Sequence, residues 1–198
     1  MRFIGVILFF LMLSSTAHAI SPVTPEVIRE AQKYGQDHAK IQERDFLRPW
    51  ISYEEKAERL NEAAEHARIY TPFLLIASDT RAKSLKGQIV NLADSEKILK
   101  DYAGTLTFSV VLFGAEAHFG QNTKVTLEQN NQIIKAYEVI IPKEAKKTVG
   151  QSNKLNYLLQ CYFYFKEKEI ERHKPMVLSI ITGDKKTHRF YFSSKNVK

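Results

Sequence analysis

Histidines are the first side chains to weigh for metal or acid–base chemistry. Five lie beyond residue 19, at His38, His66, His118, His173 and His188. No two of them are spaced to share one face of a strand at i+2 or of a helix at i+4. Glu116 and His118 do stand two residues apart, but they fall in a predicted surface loop that ends at Gly120. The sequence therefore predicts no metal site and no bound cofactor.

The sequence contains no motif typical of nucleophilic catalysis. The single cysteine, Cys161, lies between Leu159 and Phe163 on the apolar side of a predicted strand, which indicates a buried core residue. No Gly-x-Ser-x-Gly elbow is present, and residues 20–198 contain no glycine-rich phosphate loop. We therefore predict no catalytic residue. One cysteine also excludes an internal disulfide, so packing must stabilise the fold.

Clustered carboxylates have structural interpretations. Glu54 and Glu55 follow Ser52, and the serine–glutamate spacing is that of a capping box at a helix start. A second set of carboxylates alternates with basic residues, which indicates an exposed ribbon tip or loop. Its members are Glu167, Glu169 and Glu171, with Lys166, Lys168 and Arg172.

Aromatic residues offer the one pattern compatible with ligand stacking. Four tyrosines fall in predicted strands, at Tyr157, Tyr162, Tyr164 and Tyr191, and the nearby cations are Lys166, Lys168 and Arg189. Tyrosines among cations on one sheet face can stack bases or sugars. The amphipathic outer face of an ordinary antiparallel sheet has the same composition, and we favour that interpretation. Trp50, beside Arg48 and Pro49, is interpreted as a helix-packing anchor.

Charge is distributed unevenly along the chain. Residues 20–103 contain 13 Lys or Arg and 14 Asp or Glu, whereas residues 104–198 contain 15 and 8. The basic second half can attract an anionic envelope component or a partner protein, although a solvated lysine-rich face is the plainer interpretation. Only Arg172 and Arg189 of its basic residues are arginine. Nucleic acid is a disfavoured partner because arginine is the residue suited to bidentate phosphate recognition.

Helical spacing dominates residues 20–104. Thr24-Pro25 and Thr71-Pro72 both pair an N-cap hydroxyl with a proline that can start a helix. Ser52 begins a further predicted helix, with Ala57, Leu60, Ala64 and Ala67 as its apolar stripe. A fourth helix is predicted over residues 95–103, capped by Asp94 or Ser95 and ended by Gly104.

Beyond Thr105 the apolar period changes to two, which is typical of strands. Six strands are predicted over residues 105–192, separated by turns at residues 129–132 and 183–184 and by a polar connection over residues 143–156. We therefore predict an α+β fold in which an N-terminal helical segment of three to four helices (20–104) precedes a basic antiparallel β-sandwich (105–198). An immunoglobulin-like sandwich is one form of that arrangement.

The N-terminus carries the pattern of a secretory signal peptide. Arg2 is followed by an apolar run over residues 3–13, a polar stretch, and Ala17-His18-Ala19 as a cleavage site. The run is well short of the ~20 residues that cross a bilayer. We expect a soluble product that begins at Ile20, retains no integral membrane segment, and is exported to the periplasm or the medium.

Function remains open among three classes at this stage. The favoured one is a non-enzymatic binding or interaction module of the cell envelope. The alternatives are a small exported hydrolase with dispersed residues, for which His118, Glu116 and His188 are candidate members, and a structural subunit that offers a sheet edge to its neighbours.

The cleavage site is directly testable. N-terminal sequencing of the exported protein should begin at Ile20, and Ala19→Arg should prevent cleavage because the peptidase site requires a small residue there. An exported protein that retains Met1 would contradict the prediction.

Overall fold

The computed structural model describes residues 24–149, 155–171 and 173–193. The predicted signal peptide (1–19) and Arg172 lie outside these residues. Within them the chain is α+β, with four α-helices and two antiparallel sheets. The α-helices are α1 (Pro25–Asp37), α2 (Glu43–Leu47), α3 (Pro72–Leu85) and α4 (Leu92–Asp101). Short 3-10 turns span Arg48–Trp50 and Glu167–Glu169.

Ten strands are found in the described residues. They are β1 (Ile51–Tyr53), β2 (His66–Tyr70), β3 (Thr105–Gly114), β4 (Lys124–Gln129), β5 (Gln132–Lys135), β6 (Glu138–Ile140), β7 (Lys146–Val149), β8 (Leu155–Lys166), β9 (Met176–Ile181) and β10 (Thr187–Phe192). Sheet A has the order β1-β2-β3-β8-β6, and β7 also pairs with β8. Sheet B has the order β10-β9-β4-β5.

Both predicted Thr-Pro helix starts are confirmed. The Thr24 and Thr71 hydroxyls accept hydrogen bonds from the backbone N–H groups of Val27 and Leu74, at 3.4 and 3.2 Å. The predicted fourth helix exists as α4, but it begins earlier than expected. Its N-cap is Asn91, whose side chain accepts from the Asp94 N–H at 2.8 Å, so Asp94 and Ser95 lie inside the helix.

The predicted helix at Ser52 is wrong. Ser52 lies in β1 and Ala67 in β2, and these strands pair with each other, while β2 also pairs with β3. Ala67 is fully buried opposite Val110, whereas Leu60 of the supposed apolar stripe is 71% exposed. Pairing with strands distant in sequence has overridden local helix propensity. As a result, the helices are interspersed with strands of sheet A. The division at residue 104 stays a prediction.

Three further expectations in the second half are corrected. The strand predicted over residues 133–141 divides at Ala136–Tyr137 into β5 of sheet B and β6 of sheet A. The predicted polar connection contains β7, which pairs with β8. In the charged run expected on an exposed tip or loop, Glu167 and the neighbouring Ile170 are each 6% exposed, although Lys168, Glu169 and Glu171 are exposed as expected. By contrast, the turn at residues 129–132 is confirmed, with Asn130 and Asn131 at positive φ.

The two sheets and the helices share one hydrophobic core. Phe108 of sheet A contacts Phe192 of sheet B, with ring centroids 5.2 Å apart. Trp50 packs against Tyr34, Phe46 and Phe73, which confirms it as a helix-packing anchor. None of the described helices is long and apolar enough to cross a membrane.

The close crossing of α1 and α3 depends on Gly35. A Cβ there would collide with the Ala77 carbonyl oxygen of α3 and approach the Thr80 side chain at 2.9 Å. We expect Gly35→Ala to lower the free energy of unfolding by about 2 kcal/mol, because the helices must separate to admit the methyl group. Denaturant unfolding measures this. Gln36→Ala, at the exposed neighbouring position, is the control and should change stability by less than ~0.5 kcal/mol. Equal stability of Gly35→Ala and the parent would contradict the packing described here.

Candidate functional site

The histidines and carboxylate proposed for a hydrolase do not meet in one site. Glu116 and His118 lie on an exposed loop, where the His118 Nδ1 atom contacts the Lys143 carbonyl at 3.2 Å. His188 is 5% exposed and has a different partner, Glu65. Cys161 is fully buried, and burial raises the pKa of its thiol to about 12. Among the described residues, no group of three or more His, Cys, Asp or Glu is placed to hold a metal ion.

His188 does belong to a polar chain that has the order of a catalytic triad. Its Nδ1–H donates to Glu65 Oε2 at 2.7 Å, and its Nε2 lies 3.4 Å from the Thr182 hydroxyl. That hydroxyl is closed to solvent and donates to Asp184 Oδ1 at 2.5 Å. Burial opposes ionisation of Asp184, but hydrogen bonds from Thr182 and Lys186 outweigh it and hold the Asp184 pKa below its ordinary value. A hydroxyl enclosed in this way cannot reach a substrate.

The Glu65–His188 pair instead ties the two sheets together. Glu65 immediately precedes β2 of sheet A, and His188 lies in β10 of sheet B. The second Glu65 oxygen accepts the Phe113 N–H at 2.9 Å. Beside them the sheets approach through a bridge between Glu54 and Phe190. The sequence pattern predicts a helix over this segment and therefore misses this contact.

The outer face of sheet A gathers most of the tyrosines. Six of the nine lie on this face or border it: Tyr53, Tyr70, Tyr102, Tyr137, Tyr162 and Tyr164. Tyr162 and Tyr164 lie on the face of β8 opposite Cys161, as the alternation along the strand requires. Tyr157 lies on the Cys161 side and packs against the core, and Tyr191 lies on sheet B.

Three of these tyrosines flank a row of small side chains on β3, and we call this row with its flanking residues the tyrosine furrow. Its floor consists of small β3 residues, chiefly Thr107 and Ser109, which are 9% and 6% exposed although they lie on an outer face. Register places Tyr70 and Tyr164 on either side of Thr107, and Arg68 and Tyr162 on either side of Ser109. The walls stand two strand spacings apart, which is ~9.5 Å.

Hydroxyl groups of the furrow are positioned by one another. Tyr137 Oη lies 3.0 Å from Thr105 Oγ1, and the Tyr137 and Tyr164 rings are 6.4 Å apart. Gln160 Nε2 donates to Tyr162 Oη at 3.0 Å, and no described residue accepts the Tyr162 proton. Burial, followed by the nearby Glu138 carboxylate, raises the Tyr164 pKa. The Tyr164 phenol therefore remains protonated at physiological pH.

The furrow continues at its helical end into a depression of about 320 Å³. Tyr70, Tyr102 and Thr105 belong to both, and α3 and α4 supply the apolar side chains of Leu75 and Leu99. Tyr102 is 52% exposed, so its ring is open to a ligand. The aromatic surface thus extends beyond the strands.

Cations outnumber carboxylates among the outward strand positions of sheet A. The charged residues there are Arg68, Lys146, Lys166 and Glu138. The Arg68 guanidinium lies 6.0 Å from the Tyr70 ring centroid, and its Nε makes no hydrogen bond within the described chain. Of the predicted cations, Lys166 lies on this face, Lys168 in the following 3-10 turn, and Arg189 on sheet B.

His66 adjoins Arg68 on the same strand. Its Nδ1–H donates to the Ala64 carbonyl at 2.8 Å. Burial, and to a lesser degree Arg68, lower the His66 pKa, so the ring is neutral at pH 7. The neutral ring with Nδ1 protonated leaves Nε2 as an acceptor. The furrow therefore offers donors, an acceptor and a cation within a few residues.

A second depression, of about 740 Å³, lies on sheet B, but it is less equipped to hold a polar ligand. Three of its polar side chains already have partners: Glu128 accepts from Ser179, Tyr191 donates to Glu55, and Asn130 donates to Glu171. We therefore take the tyrosine furrow as the candidate site. No protein-family model matches the chain, and a search of curated proteins finds no significant match.

The tie between Glu65 and His188 predicts energetic coupling. Glu65→Gln and His188→Gln should each destabilise the fold by about 2–3 kcal/mol, because each leaves a buried polar partner poorly satisfied. The double variant should lose less than the sum by about 1–2 kcal/mol. Denaturant unfolding of all four proteins measures this. Purely additive losses would show that the two side chains do not interact.

Proposed function

We propose that the protein is an exported, non-enzymatic binding module of the cell envelope, and that the tyrosine furrow is its ligand-binding surface. Export is supported by the pattern of residues 1–19. Binding is supported by one observation above all: six of the nine tyrosines lie on or border the outer face of sheet A, and Tyr70, Tyr162 and Tyr164 flank a floor of small hydroxyl residues on β3. Periplasmic and extracellular destinations are both compatible with this proposal.

A saccharide suits this surface better than a purely apolar ligand. The C–H faces of a sugar ring pack on aromatic rings, while its hydroxyls need donors and acceptors at the ring edge. Tyr162 supplies a phenol donor, and Glu138 and the His66 Nε2 atom supply acceptors. We therefore propose an envelope polysaccharide as the ligand class.

The fold assists this role by presenting the furrow on a paired sheet. Strands β2, β3 and β8 are each held in antiparallel ladders, so few backbone torsions need ordering when a ligand binds. We propose a β-sandwich for the two sheets because their inner side chains share one core. Its classification as immunoglobulin-like stays a prediction.

A structural subunit is the second candidate, and strand β6 favours it. All three β6 residues are exposed, including Val139 and Ile140, and among the described strands β6 pairs only with β8. An added strand would extend sheet A there. The edge is short and Pro142 follows it closely, both of which discourage pairing. Oligomers that disappear in Ile140→Lys would support this candidate.

The ligand proposal is tested by retention on insoluble polysaccharides. Tyr164→Ala and Tyr162→Ala should each weaken binding about tenfold, because each removes an aromatic contact worth roughly 1 kcal/mol and its phenol. Tyr191→Ala, on the outer face of sheet B, is the matched control and should bind as the parent does. Equal losses in all three variants, or no retention on any polysaccharide of a broad panel, would overturn the proposal.

A further inference from the structure

Arg68 is the one charged group of the furrow walls that has no counter-ion in the described structure. It lies in β2, opposite Ser109 of β3, and no hydrogen bond or ion pair joins it to a described residue. Arginines on solvent-facing sheet positions commonly pair with carboxylates across strands. Here the cross-strand neighbours are Ile51 and Ser109, neither of which carries charge.

The position of Arg68 is nevertheless fixed. Its guanidinium lies beside the Tyr70 ring at 6.0 Å, within the range of a cation–π contact, and its Nε atom is enclosed by protein. A planar guanidinium held beside an aromatic ring is preorganised, because less side-chain entropy remains to be lost when its outer N–H groups bind an anion. A freely moving lysine lacks this advantage.

We propose that the ligand of the tyrosine furrow is an acidic glycan whose sugar carboxylate binds Arg68. This inference rests on the proposed function and names its ligand class. The charges at the outward strand positions of sheet A favour an anionic ligand. Three cations lie there, Arg68, Lys146 and Lys166, with one carboxylate, Glu138. Glu138 lies at the β6 edge, with β3 and β8 between it and β2.

The geometry favours a uronic acid over a sugar with a distant acidic substituent. In a uronic acid the carboxylate is attached directly to a ring carbon, so it lies at the edge of the stacked ring. Arg68 occupies the equivalent place in the furrow: it flanks Ser109, one strand from the floor and two from Tyr162. A ring that packs on the Tyr162 side chain and lies across the furrow therefore brings its carboxylate to the guanidinium, where two parallel hydrogen bonds can form.

The neighbouring His66 adds to this selectivity without adding charge. Burial and Arg68 keep its ring neutral at pH 7. Its Nε2 therefore accepts a hydrogen bond from a sugar hydroxyl and does not compete with Arg68 for the carboxylate. Arg68 therefore binds the carboxylate and His66 a hydroxyl, from positions two residues apart on β2. A uronic acid ring carries both of these groups.

The test compares polygalacturonate with the same polymer after full methyl esterification, which keeps the sugar rings and removes the charge. The full-length exported protein should bind the acidic polymer at least tenfold more tightly at low salt. Arg68→Gln should abolish that preference, while its thermal midpoint remains within a few degrees of the parent. Arg189→Gln is the matched control, because it removes an arginine from the outer face of sheet B, and it should retain the preference.

Arg68→Lys provides a second variant if Arg68→Gln folds poorly. It keeps the charge but loses the planar fork, so the preference should fall several-fold without disappearing. Equal binding of both polymers by the parent, or equal losses in Arg68→Gln and Arg189→Gln, would overturn the acidic-glycan inference and leave saccharide binding standing. Binding of neither polymer would also overturn it, and the tyrosine variants on neutral polysaccharides would then decide the proposed function separately.

Discussion

The antiparallel ladder between β3 and β8 is the interaction on which both the core and the furrow depend. It joins ten consecutive residue pairs, from Thr105–Lys166 to Gly114–Tyr157. In this register Phe108 and Phe163 share the inner face, while Ser109 and Tyr162 share the outer one. A slip of one residue would exchange the faces of a strand and bring tyrosines and hydroxyls into the core. The burial of the phenylalanines therefore fixes the position of the tyrosines.

The two sheets are connected in different ways on the two sides of their shared core. On one side a single stretch of chain leaves sheet B as β5 and joins sheet A as β6. On the other, the Glu54–Phe190 bridge and the Glu65–His188 pair connect β1 and β2 to β10. A buried ion-type pair adds little net stability compared with apolar packing, but it tolerates few alternative arrangements. We interpret it as a device that specifies which strands meet.

Local sequence patterns correctly predicted the elements that depend on interactions between neighbouring residues. The Thr24-Pro25 and Thr71-Pro72 caps, the turn at Asn130-Asn131, and the period-two strands β3 and β8 were all recognisable. The failure at Ser52 has a physical reason: the capping-box pattern is genuine, but Ala67 gains more by burial opposite Val110 than a helix would provide. That gain depends on β3, some forty residues away, and no local pattern records it.

The candidate site shows the same limit more strongly. Tyr162 and Tyr164 were identifiable as outward residues of one strand, because alternation alone places them opposite Cys161. Arg68 and Tyr70 were not, since their segment was assigned to the wrong helix and its end. Tyr102 and Tyr137 lie outside the strands proper and join the furrow only through the chain path around them. A surface built from several strands depends on the order of those strands, and local sequence patterns do not reveal that order.

The two faces of β3 differ in the size of their side chains. On the inner face the large Phe108 lies between Ile69 and Phe163, so strand spacing by itself does not require small residues on the central strand. On the outer face Thr107 and Ser109 nevertheless lie between Tyr70, Tyr164, Arg68 and Tyr162. The hydroxyls there add hydrogen-bonding capacity that the fold itself does not require, and a ligand with hydroxyl groups of its own is the partner that would use it.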